Sequence, residues 1–330
     1  MENKRNDVPY TGVSEREIRS SCPELNSEMM DVFSYYLIER YVIRSRKDVA
    51  RSVAPWTYDP ILQKYRFTNV RREHDKQTRW VINNITSDST LSYEDKLLNC
   101  ILFRLYNIFI TAKLIGMPIR FSETPDWDPR SYEKLFKEAK ERTNRKFFTG
   151  AFSMSGLKKG LKSYVPDGED NSCMEMRPLW LIRRMIDDKL TMKINNCWSP
   201  MMICSVLARY KGIQEFFAYQ IFVDFTYIRE FPYSENEYTI AGPGCKKGIE
   251  YLFKDTRDLT YEECIFWLRD YLNKLPSDNL LNPETFFFDL LPYDQKWNVM
   301  CLENCLCEFS KYIRILTKTG KPRAIYKGGT

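Results

Sequence analysis

The chain has a single histidine, His74, and no CxxC pair among its ten cysteines. Structural zinc sites draw on paired thiols and imidazoles at short spacing, so this inventory argues against one. Cys301, Cys305 and Cys307 do cluster. A metal or iron–sulfur centre is the sharper reading of that cluster. The plainer one is a buried helix face, because Cys301 and Cys305 fall one helical turn apart. No metal site is expected, although a divalent ion bound with substrate stays open. Glycine-rich phosphate loops are also missing. The closest string, KTGKPRA at 318–324, lacks the glycine run that cradles phosphates, and no GxGxxG follows a strand. Nothing therefore indicates a nucleotide cofactor. Long apolar runs are absent too. The stretch 97–119 is interrupted by Asn99, Arg104, Asn107 and Lys113 and reads as a core helix, not a membrane span. The first residues, MENKRNDVPY, contain no apolar segment of a signal peptide. These absences point to a cytoplasmic protein with reduced, mainly buried thiols. Strand signals are scarce, and there is no internal repeat or low-complexity segment.

What is present is a core-forming composition: 43% hydrophobic and 15% aromatic residues over 330 positions, with a net charge of +6. The positive excess is mild, compatible with a nucleic-acid partner without demanding one. Residues 1–27 are polar and read as a flexible segment. Residues 28–330 read as a mainly α domain, with a loop at Tyr164–Met174 as the place where two lobes would divide. Periodicity and capping signals predict helices over Met29–Arg46 and from Asp75 to Ile85. A long one is predicted over Ser92–Ile115, with a Ser92/Asp95 capping box and Gly116 as its stop. Asp128-Pro129 and Ser199-Pro200 each mark a helix start. Further helices are predicted over Leu179–Leu190, Ile213–Arg229 and Val299–Thr317, and after a Thr260/Glu263 capping box through Leu272. After Glu308 every charged side chain is basic: Lys311, Arg314, Lys318, Lys321, Arg323 and Lys327. Either these complement the helix dipole or they form a phosphate-contacting arm.

Four strings could carry chemistry. RFTNVRREHDKQTRW, Arg66–Trp80, gathers Arg71, Arg72 and Arg79 around Asp75. If it is helical, Arg71, Asp75 and Arg79 share a face, and guanidiniums so placed grip a pyrophosphate bidentately. The alternative is a surface ion-pair ladder. AYQIFVDFTY, Ala218–Tyr227, sets Gln220 and Asp224 one turn apart in an otherwise apolar helix, where polar groups must find partners or do work. AGPGCKKGIEYLF, Ala241–Phe253, places Gly242 and Gly244 around a proline ahead of Lys246 and Lys247. It resembles the hairpin of helix-hairpin-helix modules, whose helix N-terminus faces a DNA phosphate, but a GPG string alone is also an ordinary turn. CLENCLCEFSKY, Cys301–Tyr312, sets Glu303, Glu308, Lys311 and Tyr312 among apolar residues; a core-closing helix with a surface salt bridge is its plainer reading.

Taken in order, these strings resemble the thymine DNA hypermodification family: the alpha-glutamyl/putrescinyl thymine pyrophosphorylases, or amino acid:DNA transferases. Their helical domain also occurs in 5-hydroxymethyluracil DNA kinases. The resemblance rests on Phe67, Asn69, Arg72, Asp75, Thr78, Arg79 and Trp80; on Tyr219, Gln220, Asp224 and Tyr227; and on Gly242, Pro243, Gly244 and Gly248. It is completed by Glu303, Leu306, Cys307, Glu308, Phe309, Lys311 and Tyr312, with Arg104–Asn107 also familial. It spans the chain from about Met29. His74 before the aspartate, and Ser310 where an aspartate is common, depart from the pattern and bear on the subfamily. The resemblance implies a helical, DNA-glycosylase-like fold and bacteriophage-type double-stranded DNA as substrate. It also implies an upstream DNA kinase and an amine or amino acid that displaces pyrophosphate from the thymine methyl carbon. Arg71, Arg72, Arg79, Gln220, Lys311 and Tyr312 would then contact substrate. Asp224 first, then Asp75, Glu303 and Glu308, are the candidate acids and bases, and Gly242, Gly244, Lys246 and Lys247 the DNA contacts. A glycosylase or lyase acting on a modified base, and a non-catalytic DNA-binding module serving the kinase, are the rival expectations.

Overall fold

A computed structural model describes residues 12–14, 22–142, 146–150, 154–167, 169, 173–286, 296–320 and 325. Most of the expected N-terminal segment, part of the 164–174 loop, and Lys321, Arg323 and Lys327 of the basic tail lie outside them. The described residues are mainly helical, with two antiparallel two-stranded pairings, Val13–Ser14 with Tyr238–Thr239 and Glu24–Leu25 with Phe253–Asp255. No described helix is long and apolar enough to cross a membrane.

The chain forms two compact units. Residues 76–234 make one; the flanking stretches 12–75 and 235–325 together make the other. The division thus falls at 75/76 and 234/235, and the 164–174 stretch lies inside the first unit. No linker composition marks either boundary, since both lie in charged, ordinary-looking sequence.

In the 76–234 unit the Tyr93–Tyr106 helix is buried at every position from Asp95 to Tyr106. The Arg177–Asp187 and Glu215–Phe225 helices pack against it. The expected single helix to Ile115 breaks at Asn107, which adopts a left-handed conformation (φ 52°, ψ 39°) and donates its N–H to the Phe103 carbonyl. Asparagine tolerates this region better than most residues. The helix resumes as Phe109–Leu114, the Phe109 N–H capped by Gln77 Oε1 at 2.7 Å, and Gly116 (φ 73°) ends it. The Ser92/Asp95 box closes on one side only. Ser92 accepts from the Asp95 N–H, but the Asp95 carboxylate turns to the Ser122 N–H and hydroxyl.

In the second unit the Ser27–Arg44, Pro243–Leu252, Tyr261–Asn273 and Val299–Leu316 helices bury a shared core. Phe33, Leu37, Ile249, Ile265, Leu306 and Phe309 are each fully inaccessible. Apolar residues recurring at three- and four-residue spacing, such as Leu302, Leu306, Phe309 and Ile313, build the inward stripe. The capping box at Thr260 and Glu263 is complete.

Candidate functional site

In the second unit the first and fourth strings meet. Residues 66–75 are not the regular helix that would align Arg71, Asp75 and Arg79. Arg71 is extended, Arg72–His74 form a single 3₁₀ turn, and Asp75 is extended again before the Lys76–Val81 helix starts. Arg79 is exposed on that helix, in the other unit, and takes no part in this cluster. The 66–75 loop is instead pinned along the Val299–Leu316 helix. Asn304 Nδ2 donates to Thr68 Oγ1 at 2.8 Å, the Cys305 thiol to the Val70 carbonyl at 3.4 Å, and the Thr68 N–H to Glu308 Oε2 at 3.4 Å. From the other side Arg40, buried in the Ser27–Arg44 helix, donates to the carbonyls of Phe67 and Thr68 at 3.1–3.2 Å. Arg40 escaped the sequence reading, although a charge on the apolar stripe of an amphipathic helix was a usable signal.

Asp75 is held at the end of this loop. Asn69 donates to its Oδ1 through backbone N–H (3.3 Å) and side-chain amide (3.1 Å). Burial pushes its pKa up to about 6; the Asn69 bond and the positive charges of Arg72 and Arg40 oppose the shift, and Glu308 adds to it. Arg72 is buried, donates to Met300 Sδ at 3.7 Å, and also lies within charge reach of Glu303. Arg71 is committed: its guanidinium binds Glu73 Oε1 at 2.9 Å and the Lys296 carbonyl at 3.0 Å, with only 2% of the residue exposed. Glu308 and Lys311 pair at 3.1 Å on the rim, and the Lys311 ammonium lies 4.3 Å from the centre of the Phe67 ring while also donating to the Arg66 carbonyl. Tyr312 donates to Asp59 Oδ2 at 2.7 Å, and Asp59 caps the Pro60–Lys64 helix through the N–H groups of Ile61 and Leu62. Tyr312 is thus part of the scaffold, its hydroxyl shifted upward by burial and by that carboxylate.

Glu303 occupies the approach to the GPG helix. It accepts the Gly242 N–H at 3.2 Å, while Glu262 accepts the Ala241 N–H at 2.9 Å. Buried among apolar neighbours, Glu303 is pushed up to about 7. A two-residue strand, Tyr238–Thr239, and not a helix, leads into this turn, so the helix-hairpin-helix arrangement is not what the described residues form here. The glycines serve packing. A Cβ on Gly248 would stand 2.2 Å from the Leu306 carbonyl oxygen, and one on Gly244 would stand 2.4 Å from Cys307 Sγ. Lys246 lies over the Tyr261 ring at 5.4 Å, and Lys247 pairs with Glu250 at 2.5 Å.

The second string meets the Arg104–Asn107 segment in the 76–234 unit. Arg104 Nε donates to Asp224 Oδ2 at 2.7 Å and its Nη2 to Oδ1, while Nη1 donates to Asn107 Oδ1 at 3.1 Å. Asp224 is fully inaccessible, and Gln220, one turn before it, is buried as well. Both carboxylate oxygens engaged by one guanidinium make Asp224 the centre of a buried ion pair. In this geometry neither carboxylate oxygen reaches solvent. No group of His, Cys, Asp or Glu among the described residues is arranged to hold a metal ion.

Residues 27–321 match the family described as the helical domain of 5-hmdU DNA kinase. The chain belongs to this family. A 5-hmdU DNA kinase of Bacillus phage SP10 is 28% identical over 322 residues, which is 93% of this chain and 48% of the relative. The chain therefore spans about half the length of that curated relative. No solved structure matches it. Within this helical-domain family, the strings that carried the resemblance prove to be the contacts that build each unit: the 66–75 loop on Val299–Leu316, and Arg104 on Asp224.

Proposed function

We propose that the chain acts on DNA whose thymine derives from 5-hydroxymethyluracil, and that it replaces a pyrophosphate on the exocyclic methylene carbon with an amine or amino acid. The observation that carries the reading is Asp75. It is a part-buried carboxylate titrating near 6, with one oxygen fixed by Asn69 and with arginines around it. In the displacement the carbon–oxygen bond to pyrophosphate breaks, a carbon–nitrogen bond forms, and the nitrogen sheds a proton. A base near neutrality takes that proton, and its negative charge favours the electron-poor carbon before attack. Lys311 on the rim and Arg72 behind Asp75 supply positive charge toward the departing pyrophosphate. Membership of the 5-hmdU DNA kinase helical-domain family supports the substrate class. In this reading Asp224, Arg71 and Tyr312 hold the scaffold through their buried contacts.

The test is to incubate the protein with pyrophosphorylated hydroxymethyluracil DNA and a pool of putrescine and amino acids, digest the DNA and weigh the nucleosides. A new adduct mass that Asp75→Asn makes far more slowly is the expected result. Free base or abasic sites would instead mark a glycosylase. A second reading, a DNA-presenting domain without turnover of its own, is favoured by the match to only about half of a kinase. It predicts unchanged nucleosides and stimulation of a separately added 5-hmdU DNA kinase.

A further inference from the structure

The 76–234 unit carries an exposed tip that none of the chemistry above uses. The Leu190–Asn195 and Pro200–Ala208 helices are joined by a short turn whose Trp198 is 80% exposed, flanked by Met192 at 58% and Met201 at 38%. Indole is costly to leave in water, and soluble surfaces seldom gather large apolar groups without a use for them. The tip is not loose. The Cys197 N–H donates to the Ile194 carbonyl at 3.0 Å, the Tyr233 hydroxyl to the Cys197 carbonyl at 3.3 Å, and Ser199 caps the following helix through the Met202 N–H at 3.3 Å. Between Asp188 on one side and Glu215 on the other, the charges carry one sign. From Lys189 through Gln214 the charged residues are Lys189, Lys193, Arg209 and Lys211, with no carboxylate. Arg209 lies close enough to Cys197, the neighbour of Trp198, for its charge to act on the thiol.

A held, solvent-facing indole in a stretch whose charges are all basic, with Arg209 within charge reach of the neighbouring thiol, matches a partner that offers flat aromatic faces beside negative charge. We propose that this tip is a nucleic-acid contact: Trp198 stacks on, or wedges beside, a base of the DNA while Lys193, Arg209 and Lys211 meet the adjacent phosphates. The inference rests on the DNA reading given above and adds to it the surface by which the DNA is held.

Labelled DNA, as duplex and as single strand, is titrated with the wild-type chain and with Trp198→Ala, Trp198→Phe and Lys193→Glu. Stacking on one base is worth about 1–3 kcal/mol, so Trp198→Ala should weaken binding by about 5- to 150-fold, with Trp198→Phe in between. The thermal midpoint should stay unchanged, because the side chain is exposed. Iodide should quench an emission component that Trp198→Phe lacks, and DNA should shield it. Wild-type binding that Trp198→Ala leaves intact overturns the inference while leaving the transferase reading standing. Conversely, a Trp198-dependent complex that yields no adduct in the nucleoside assay sinks the transferase reading and keeps this one. Trp198 shielded from iodide in protein alone, increasingly with protein concentration, would make the tip a protein–protein contact and overturn the proposal. Failure of the wild type to bind either DNA would overturn both.

Discussion

Asp75 and Glu303 are carboxylates whose protons leave near neutrality, each because burial disfavours the charged form. Two measurable consequences follow at this scale. If Asp75 accepts the proton of the attacking amine, the displacement rate should rise between pH 5 and 7 with a midpoint near 6, a limb that Asp75→Asn should remove. Stability should run the other way. In the unfolded chain these groups ionise near 4, but in the folded protein only near 6 and 7. Between those limits the native state holds more protons, so stability is greatest below about 4 and is lost as pH rises to about 7. Glu303→Gln should flatten that slope, with up to about 3 kcal/mol at stake, read from urea midpoints at pH 5 and pH 8. The sequence displayed both carboxylates and even their company, Arg72 and Asn69. It could not display the burial of Asp75, because a 3₁₀ turn flanked by extended residues has no periodicity to expose. That is also why Arg71, Asp75 and Arg79 looked like one helical face and are not.

Elements show the same division between what pattern reveals and what packing decides. Helix starts were legible at Ser199, Thr260 and Asp128, where a side chain does the capping, but not at Asp59, whose cap opens only the short Pro60–Lys64 helix. The break at Asn107 was not legible, because it rests on side-chain contacts that periodicity does not carry: Arg104 donates to the Asn107 side chain, and Gln77 accepts from the Phe109 N–H. The Arg104–Asp224 pair makes a prediction of its own. Either residue changed to Ala should cost about 3–5 kcal/mol, since a charge is left buried alone, and the double change should cost clearly less than the sum. A double-mutant cycle by chemical denaturation reads this. If Asp224→Ala leaves stability untouched, the structural role is wrong. The Pro243–Leu252 helix makes another. Gly248→Ala should destabilise by about 1–3 kcal/mol because a backbone carbonyl cannot step aside, whereas the loss from Gly244→Ala should largely vanish in a Cys307→Ala background. The GPG string allowed both a DNA hairpin and an ordinary turn, because glycine next to a helix start fits either; the close approach to the opposing helix was not legible in it.

For the molecule as a whole, the net charge of +6 says little, but its placement says more. If the tip around Trp198 meets phosphates, Lys193→Glu should weaken DNA binding on every sequence alike. It should also lower the slope of log affinity against log salt by about 1. Membership of the family was legible from motif order, while the two-unit division was invisible, since the second unit is made from sequence that flanks the first.

That discontinuity has a consequence for synthesis. Thr68 and Glu308, 240 positions apart, are joined across the 66–75 loop. On a ribosome the 76–234 segment emerges with all its own partners, whereas residues 12–75 must wait, cores unpaired, until the Val299–Leu316 helix arrives. Until that helix has emerged, the nascent chain carries Phe33, Tyr36 and Leu37 without their core, a window in which a chaperone or an aggregate competes for them. The Asp75 cluster cannot assemble before the Val299–Leu316 helix has been made.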